Sequence, residues 1–168
     1  SCLVGSEMCI RDRVAGRPSM GKTAFGLSIA ASLIENNIPA VFYSLEMSSR
    51  SVMYRLISIL SKVELKRIFQ AKELTDSDFE KIGKAVELLE KSNFFIDDTS
   101  ALSPSEILSR SRKLKREFPE LGLVVLDYLQ LMRADNSNPS RVNEMSEISR
   151  ATKAVSYTHL TLPTIFAV

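Results

Sequence analysis

The chain has 168 residues, of which 45% are hydrophobic and 25% are charged, and its formal net charge is +2. These values are ordinary for one globular domain with a hydrophobic core. No apolar run approaches the roughly 20 residues of a membrane-spanning helix, so we expect a soluble intracellular domain rather than a membrane protein. The net charge is too small to indicate nucleic-acid binding by itself, although a few basic loops could still provide it.

The two ends of the sequence contain all of its cysteine and histidine. Cys2 and Cys9 lie near the N-terminus, and His159 lies near the C-terminus. A disulfide, a metal site or a catalytic histidine would therefore have to be built from the two end segments.

Both ends can be explained by one DNA element in inverted orientation. Residues 8–13 can be encoded by a DNA sequence whose reverse complement encodes residues 155–159. The element resembles the transposon end that is used to fragment DNA for sequencing libraries. We therefore predict that residues 1–13 and 155–168 are adapter-derived, non-native segments. Residues 14–154 are then part of a natural domain that is truncated on both sides and contains neither cysteine nor histidine.

Strands and helices are predicted to alternate from the start of the natural segment. Residues 14–15 form the tail of a strand and lead into a loop over residues 16–21. A helix begins at Lys22 and is ended by two asparagines and Pro39. Its apolar residues at helical spacing are Phe25, Ile29, Leu33 and Ile34. A strand over residues 40–44 follows. The next helix is capped by Ser48 or Ser49, and a short helix over residues 65–69 comes after it.

The second half continues the alternation. Acidic residues in the first turn favour a helix from Thr75, with apolar residues Phe79, Ile82, Val86 and Leu89. A strand at residues 94–96 precedes a capping box, Ser103 to Glu106, that opens a further helix. Residues 123–126 are a continuous apolar run, typical of a central parallel strand. A last helix is predicted over residues 144–153. The fold class is therefore α/β, with a parallel sheet flanked by helices.

The loop before the first helix matches the phosphate-binding P-loop pattern G-x-x-x-x-G-K-[ST]. Its residues are Gly16, Arg17, Pro18, Ser19, Met20, Gly21, Lys22 and Thr23. Such a loop wraps backbone N–H groups around phosphate oxygens, while Lys22 reaches the β- and γ-phosphates and Thr23 offers its hydroxyl to Mg²⁺. The following helix directs its positive end at the anion. Since a strand tail precedes the loop and an amphipathic helix follows it, a chance glycine-rich turn explains the pattern less well, and we predict that the loop binds the phosphates of a nucleoside triphosphate.

Two carboxylates follow predicted strands. Asp127 ends the apolar run and could hold Mg²⁺ at the edge where parallel sheets bind ligands. A helix cap or a turn aspartate is the alternative. Glu46 follows the strand at residues 40–44 and could polarise the water that attacks the γ-phosphate. From the pattern alone, a surface glutamate explains Glu46 more simply.

Asp97 and Asp98 form an acidic pair after a predicted strand. Adjacent strand residues point to opposite faces, so the pair is not expected to form one two-carboxylate site. Turn chemistry before Ser100 explains these residues better.

Five sequence segments occur together in the order found in DnaB-type replicative helicases. They are Gly-Arg-Pro-Ser-Met-Gly-Lys-Thr (16–23), Tyr-Ser-Leu-Glu-Met-Ser (43–48), Ile-Asp-Asp-Thr-Ser (96–100), Leu-Asp-Tyr-Leu-Gln-Leu-Met (126–132) and Glu-Ile-Ser-Arg (147–150). The natural segment therefore resembles that family over essentially its whole length. The resemblance implies a RecA-like motor domain in which Glu46 is the catalytic glutamate, Lys22 contributes to catalysis, and Asp127 is the Walker B aspartate. Gln130 belongs to the same signature without an assigned role.

The resemblance also implies a biological setting. The family unwinds duplex DNA at the replication fork as a homo-hexamer that encircles single-stranded DNA and hydrolyses ATP with Mg²⁺ between subunits. Primase and a helicase loader are the implied partners. The DNA-contacting loops and the arginine finger of the family come after the matched segment, so we expect this chain by itself to bind nucleotide with little turnover. A RecA/RadA-type recombination or repair ATPase is the alternative.

Overall fold

The computed structural model describes residues 11–14, 21–70, 73–100, 102–127 and 164–167. The elements of these residues, in chain order, are β1 (Arg11–Val14), α1 (Lys22–Glu35), β2 (Ala40–Ser44), α2 (Ser49–Ser61), α3 (Leu65–Phe69), α4 (Asp76–Lys91), β3 (Phe94–Asp97), α5 (Pro104–Glu117), β4 (Leu123–Asp127) and β5 (Thr164–Ala167). The helix predicted over residues 144–153 lies outside the described residues. Within them, each predicted strand and helix is present.

The strands form one sheet in the order β1-β5-β4-β2-β3. Each described pairing is parallel, and β2 lies between β4 and β3. Parallel strands need crossover connections, which here contain the helices. The predicted α/β class with a parallel, helix-flanked sheet is therefore confirmed.

The first and last strands along the chain involve segments that the sequence predicts to be adapter-derived. β1 covers Arg11–Val14, and β5 covers Thr164–Ala167. β5 pairs with β4 on one side and with β1 on the other. Ala15, the second residue of the predicted strand tail, lies outside the described residues.

The core has two parts, one on each face of the sheet. Val41 and Tyr43 of β2 belong to one cluster, which includes Ile107 of α5. Ala40 and Phe42 belong to the other, which contains residues of α1, α2 and α4. Alternate strand residues point to opposite faces, so one fully buried strand contributes to both clusters. This double burial explains the unbroken apolar sequences of β2 and β4.

Two large apolar residues that fit the predicted helical spacing are exposed. Phe25 of α1 is 50% exposed, and Phe79 of α4 is 55% exposed. The residues that α1 buries are Gly26, Leu27, Ala30, Ala31 and Ile34. Apolar spacing predicted the helix but not which of its apolar residues are covered. Ile34 is buried and Phe25 is not, and Gly26 brings this part of α1 close to the sheet.

Gly26 marks this close approach. A Cβ atom on Gly26 would lie 3.3 Å from Val125 Cγ1 and 3.8 Å from Phe42 Cε2. We expect Gly26→Leu to lower the free energy of unfolding by about 1–3 kcal/mol, the usual cost of overpacking. Gly83→Leu is the matched control, because a Cβ atom there would meet nothing within 4 Å. Urea denaturation should show a large loss for the first variant and none for the second. Equal losses would contradict the close packing of α1.

The helix starts follow the predicted capping chemistry. Ser48 caps α2, and its side chain accepts from Ser51 N–H. Thr75 and Ser103 form capping boxes with Asp78 and Glu106. The cap of α2 lies two residues after Glu46 and therefore also fixes the backbone next to that residue.

Among the helices of the described residues, none is long and apolar enough to cross a membrane.

Candidate nucleotide-binding site

The carboxyl ends of β2 and β4 lie side by side. Ser44, the last residue of β2, is in register with Asp127, the last residue of β4. The Leu45 N–H then donates to the Asp127 carbonyl oxygen at 2.7 Å. Both strand ends therefore open onto the same edge of the sheet, where the ligands of parallel sheets bind.

Helix α1 begins at this site. Gly21 has a φ of 82°, in the left-handed region that favours glycine, and its carbonyl oxygen accepts from Phe25 N–H at 2.9 Å. Gly21 has no side chain to cap the helix, so backbone N–H groups of the first turn are suited to an anion. Lys22 and Thr23 occupy this turn. The other predicted P-loop residues, numbers 16–20, lie outside the described residues.

Asp127 joins the strand edge to the start of α1. Its side chain is hydrogen-bonded to Thr23, and it is only 3% exposed. Burial is the main reason why the pKa of Asp127 lies above its ordinary value. The negative charge of Glu46 raises this pKa further, whereas the Thr23 hydrogen bond and the charges of Lys22 and Arg55 act in the opposite direction. Side chains from α1, from the turn between β2 and α2, and from α2 thus all influence the pKa of the Asp127 carboxyl on β4.

One oxygen of Asp127 stands out among the buried polar side-chain atoms of the described residues. Its Oδ2 atom is buried, and no donor among the described residues forms a hydrogen bond with it. A buried carboxylate oxygen without a partner costs about 1–3 kcal/mol or more. With the Thr23 hydroxyl beside it, this oxygen offers the hard oxygen ligands that Mg²⁺ prefers. The chemistry of these two oxygen groups fits a magnesium ion.

Glu46 lies in the turn between β2 and α2 and is exposed. It is close enough to Asp127 for its charge to raise the pKa of that carboxyl. The structure therefore brings four predicted site residues into one region: Lys22, Thr23, Glu46 and Asp127. An exposed carboxylate beside a buried one gives the site two acids with different environments, one suited to a cation and one accessible to water.

Three polar residues near the site were not predicted from the sequence. Ser44 forms hydrogen bonds within the Glu46 turn, and Arg55 of α2 contributes positive charge at Asp127. Asp98 accepts from Ser49 N–H at 2.7 Å and so supports the start of α2. The sequence could have pointed to Ser44, since it is a polar residue at the end of an apolar strand. It gave no indication of the contact between Asp98 and Ser49, because these residues lie far apart in the sequence.

Asp97 does not share the role of Asp98. Its Oδ1 atom accepts from the N–H and the hydroxyl of Thr99, and its Oδ2 atom pairs with Arg110. Burial raises the pKa of Asp97, but hydrogen bonds from Thr99 and Arg110 outweigh it and hold that pKa below its ordinary value. These contacts agree with the predicted turn chemistry, and the two acids do not form a common site.

The fold and the site geometry define a RecA-like ATPase domain. A family model described as "DnaB-like helicase C terminal domain" matches residues 3–167. The chain belongs to this DnaB-like helicase family.

Individual relatives agree with this assignment. The chain is 42% identical over 159 residues to the replicative DNA helicase DnaB of Buchnera aphidicola subsp. Schizaphis graminum, covering 92% of the chain and 33% of the relative. It is 42% identical over 144 residues to the DnaB of Pasteurella multocida, covering 84% of the chain and 31% of the relative. The chain thus spans about a third of the length of these curated relatives.

Solved structures give the same result. One is the structure of a DnaB-like replicative helicase and its interactions with primase, with a TM-score of 0.86 and 33% identity over 94% of this chain and 38% of that one. Another is an ATPase domain with a TM-score of 0.87 and 33% identity over 95% of this chain and 56% of that one. The likeness in fold therefore extends over nearly the whole chain.

Proposed function

We propose that the chain is the ATP-binding and hydrolysis core of a replicative helicase that unwinds DNA at the replication fork. The observation that carries this proposal is the buried Asp127 carboxylate, hydrogen-bonded to Thr23 at the start of α1 and influenced by the charges of Glu46 and Lys22. This combination provides a place for phosphates, a place for a cation and an accessible base. A recombination or repair ATPase is not favoured, because the matched relatives are replicative helicases.

Each residue has a distinct part in the proposed mechanism. Thr23 and Asp127 would hold Mg²⁺, which supplies charge neutralisation at the phosphates when it is bound. Lys22 and the first-turn N–H groups of α1, with residues 16–21, would bind the β- and γ-phosphates. Glu46 would accept a proton from the attacking water onto its carboxylate and orient that water toward the γ-phosphorus.

The proposed setting extends beyond the chain itself. We infer that the segment acts in the cytoplasm within a homo-hexamer around single-stranded DNA, together with primase and a helicase loader. One structural relative was solved for its interactions with primase, which supports primase as the first partner to test. Pull-down of primase by a full-length helicase carrying this segment tests that partner, and failure to retain primase would count against it.

The proposal that residues 1–13 and 155–168 are adapter-derived also needs a direct test. Its support is that residues 8–13 can be encoded by a DNA sequence whose reverse complement encodes residues 155–159. The family match extends into both segments, to residues 3 and 167. Sequencing the parent locus without library adapters decides between a native reading frame and a foreign one.

Nucleotide binding by the chain gives the first test of the function. We expect Lys22→Ala to weaken binding of a fluorescent ATP analogue by about 10- to 100-fold, since hydrogen bonds to charged groups are worth about 1.5–3 kcal/mol. Lys84→Ala is the control, because Lys84 pairs with Glu80 on the exposed surface of α4. Unchanged affinity in Lys22→Ala would remove the phosphate-binding role.

A further inference from the structure

The turn that contains Glu46 is closed by one buried side chain. Ser44 is 1% exposed, and its hydroxyl donates to the Met47 carbonyl oxygen at 2.7 Å. The Met47 N–H donates back to the same hydroxyl oxygen at 3.3 Å. The Ser44 hydroxyl therefore binds both backbone groups of Met47, and Glu46 lies inside the closed turn.

The turn is also anchored on both sides of Glu46. Before it, the Leu45 N–H donates to the Asp127 carbonyl oxygen at 2.7 Å. After it, Ser48 caps α2, and Asp98 Oδ2 accepts from Ser49 N–H at 2.7 Å. Leu45 fixes the turn relative to β4, and Asp98 fixes the start of α2 relative to β3. Of these contacts, only the hydrogen bonds between Ser44 and Met47 join residues on either side of Glu46.

We propose that Ser44 is a positioning residue for Glu46 in ATP hydrolysis, an inference that rests on the proposed function. An exposed glutamate has several rotatable bonds, so its carboxylate reaches a water molecule reproducibly only if its backbone is fixed. A general base misplaced by about 1 Å can cost as much as 10²-fold in rate. The Ser44 hydroxyl supplies this restraint through its two hydrogen bonds with the Met47 backbone.

The test is steady-state hydrolysis in a full-length helicase that carries this segment. Ser44→Ala should lower kcat about 10-fold and leave KM for ATP within about twofold, because binding uses other residues. Ser44→Thr retains the hydroxyl and should recover most of the loss. Ser111→Ala is the matched control, since Ser111 is buried and its hydroxyl bonds to the side chain of Tyr43, which points to the opposite face of β2 from Ser44. Its kcat should not change.

A double-mutant cycle separates positioning from a general loss of structure. If Ser44 acts through Glu46, then Ser44→Ala should have no further effect on kcat in a Glu46→Gln background. An equal 10-fold loss in both backgrounds overturns the inference. If kcat is low in Glu46→Gln but normal in Ser44→Ala, only the inference about Ser44 is overturned. If kcat is normal in Glu46→Gln, the proposed function is overturned as well.

Hydrogen exchange provides a readout within the chain. The Met47 amide should exchange faster in Ser44→Ala, because its acceptor has been removed, while amides of α4 should not change. If Ser44→Ala does not fold, Ser44→Cys is used with the same expectations, since its thiol has nearly the same shape but bonds weakly. Unchanged Met47 exchange together with normal kcat in the Cys variant overturns the inference.

Discussion

Replacing Glu46 with glutamine is expected to lower ATP turnover by about 10²- to 10⁴-fold, the usual contribution of a positioned general base. Glutamine keeps the size and the polar character of the side chain but cannot accept a proton. Glu46 is exposed and lies beside Asp127, so the substitution removes a base without opening a cavity. Nucleotide affinity should therefore change by less than about threefold. That change is well below the 1.4 kcal/mol of binding free energy that corresponds to a tenfold difference.

This experiment requires hydrolysis and binding to be measured on the same variant. Single-turnover ATP cleavage reports the chemical step, and an ATP-analogue titration reports binding. Glu87→Gln is the matched control, because Glu87 is exposed and pairs with Lys91 on α4. Cleavage by Glu46→Gln at the unmodified rate would show that another group takes the proton from the attacking water.

Replacing Asp127 with asparagine is expected to have opposite effects on stability and on magnesium response. The Oδ2 atom is buried and forms no hydrogen bond with the described residues. Removing the charge should therefore raise the free energy of unfolding of the nucleotide-free chain by about 1–3 kcal/mol. The same change removes an anionic oxygen ligand, so the thermal stabilisation by Mg-ATP should largely disappear.

The stability gain should depend on pH in a defined direction. Burial raises the pKa of Asp127, so the folded chain holds this proton more tightly than the unfolded chain. The cost of the buried charge is then absent below the ordinary aspartate pKa, grows as the pH rises, and is complete above the raised pKa. The advantage of Asp127→Asn should follow the same course and be largest at neutral pH.

Urea denaturation at several pH values, with and without Mg-ATP, measures both effects. Asp76→Asn is the control, because Asp76 is an exposed acid in the first turn of α4. Losing that charge should slightly destabilise the helix rather than stabilise the chain. A destabilised Asp127→Asn chain that still responds fully to Mg-ATP would contradict the proposed role of Asp127.

Local patterns in the sequence predicted most of the fold. Ser103 and Glu106 predicted the start of α5 because a capping box involves neighbours in the chain. The apolar run before Asp127 predicted a buried strand because strands covered on both faces are mostly apolar. Phe25 and Phe79 fit the apolar spacing of their helices but are exposed, since side-chain spacing gives the period of a helix but not which residues the neighbouring elements cover.

The candidate site was predictable to a smaller extent. Lys22 and Thr23 follow from a contiguous motif, and Asp127 follows from its place at a strand end. Glu46 gained its proposed role only through the family resemblance, because an acidic residue in a turn is common on any surface. Arg55 and Asp98 could not be predicted, because their influence depends on how α2 lies against β3 and β4. The functional roles of all these residues remain predictions.

The adjacency of β2 and β4 has a consequence for the order in which the protein acquires activity. Glu46 and Asp127 become neighbours only when strands that are far apart in the chain pair in register. Contacts of this kind form slowly, because the intervening segment must first be closed into a loop. During synthesis, Lys22, Thr23 and Glu46 leave the ribosome well before Asp127. We therefore expect a nascent chain to lack magnesium-dependent nucleotide affinity until β4 has emerged, so that ATP consumption begins only once the central strands are complete.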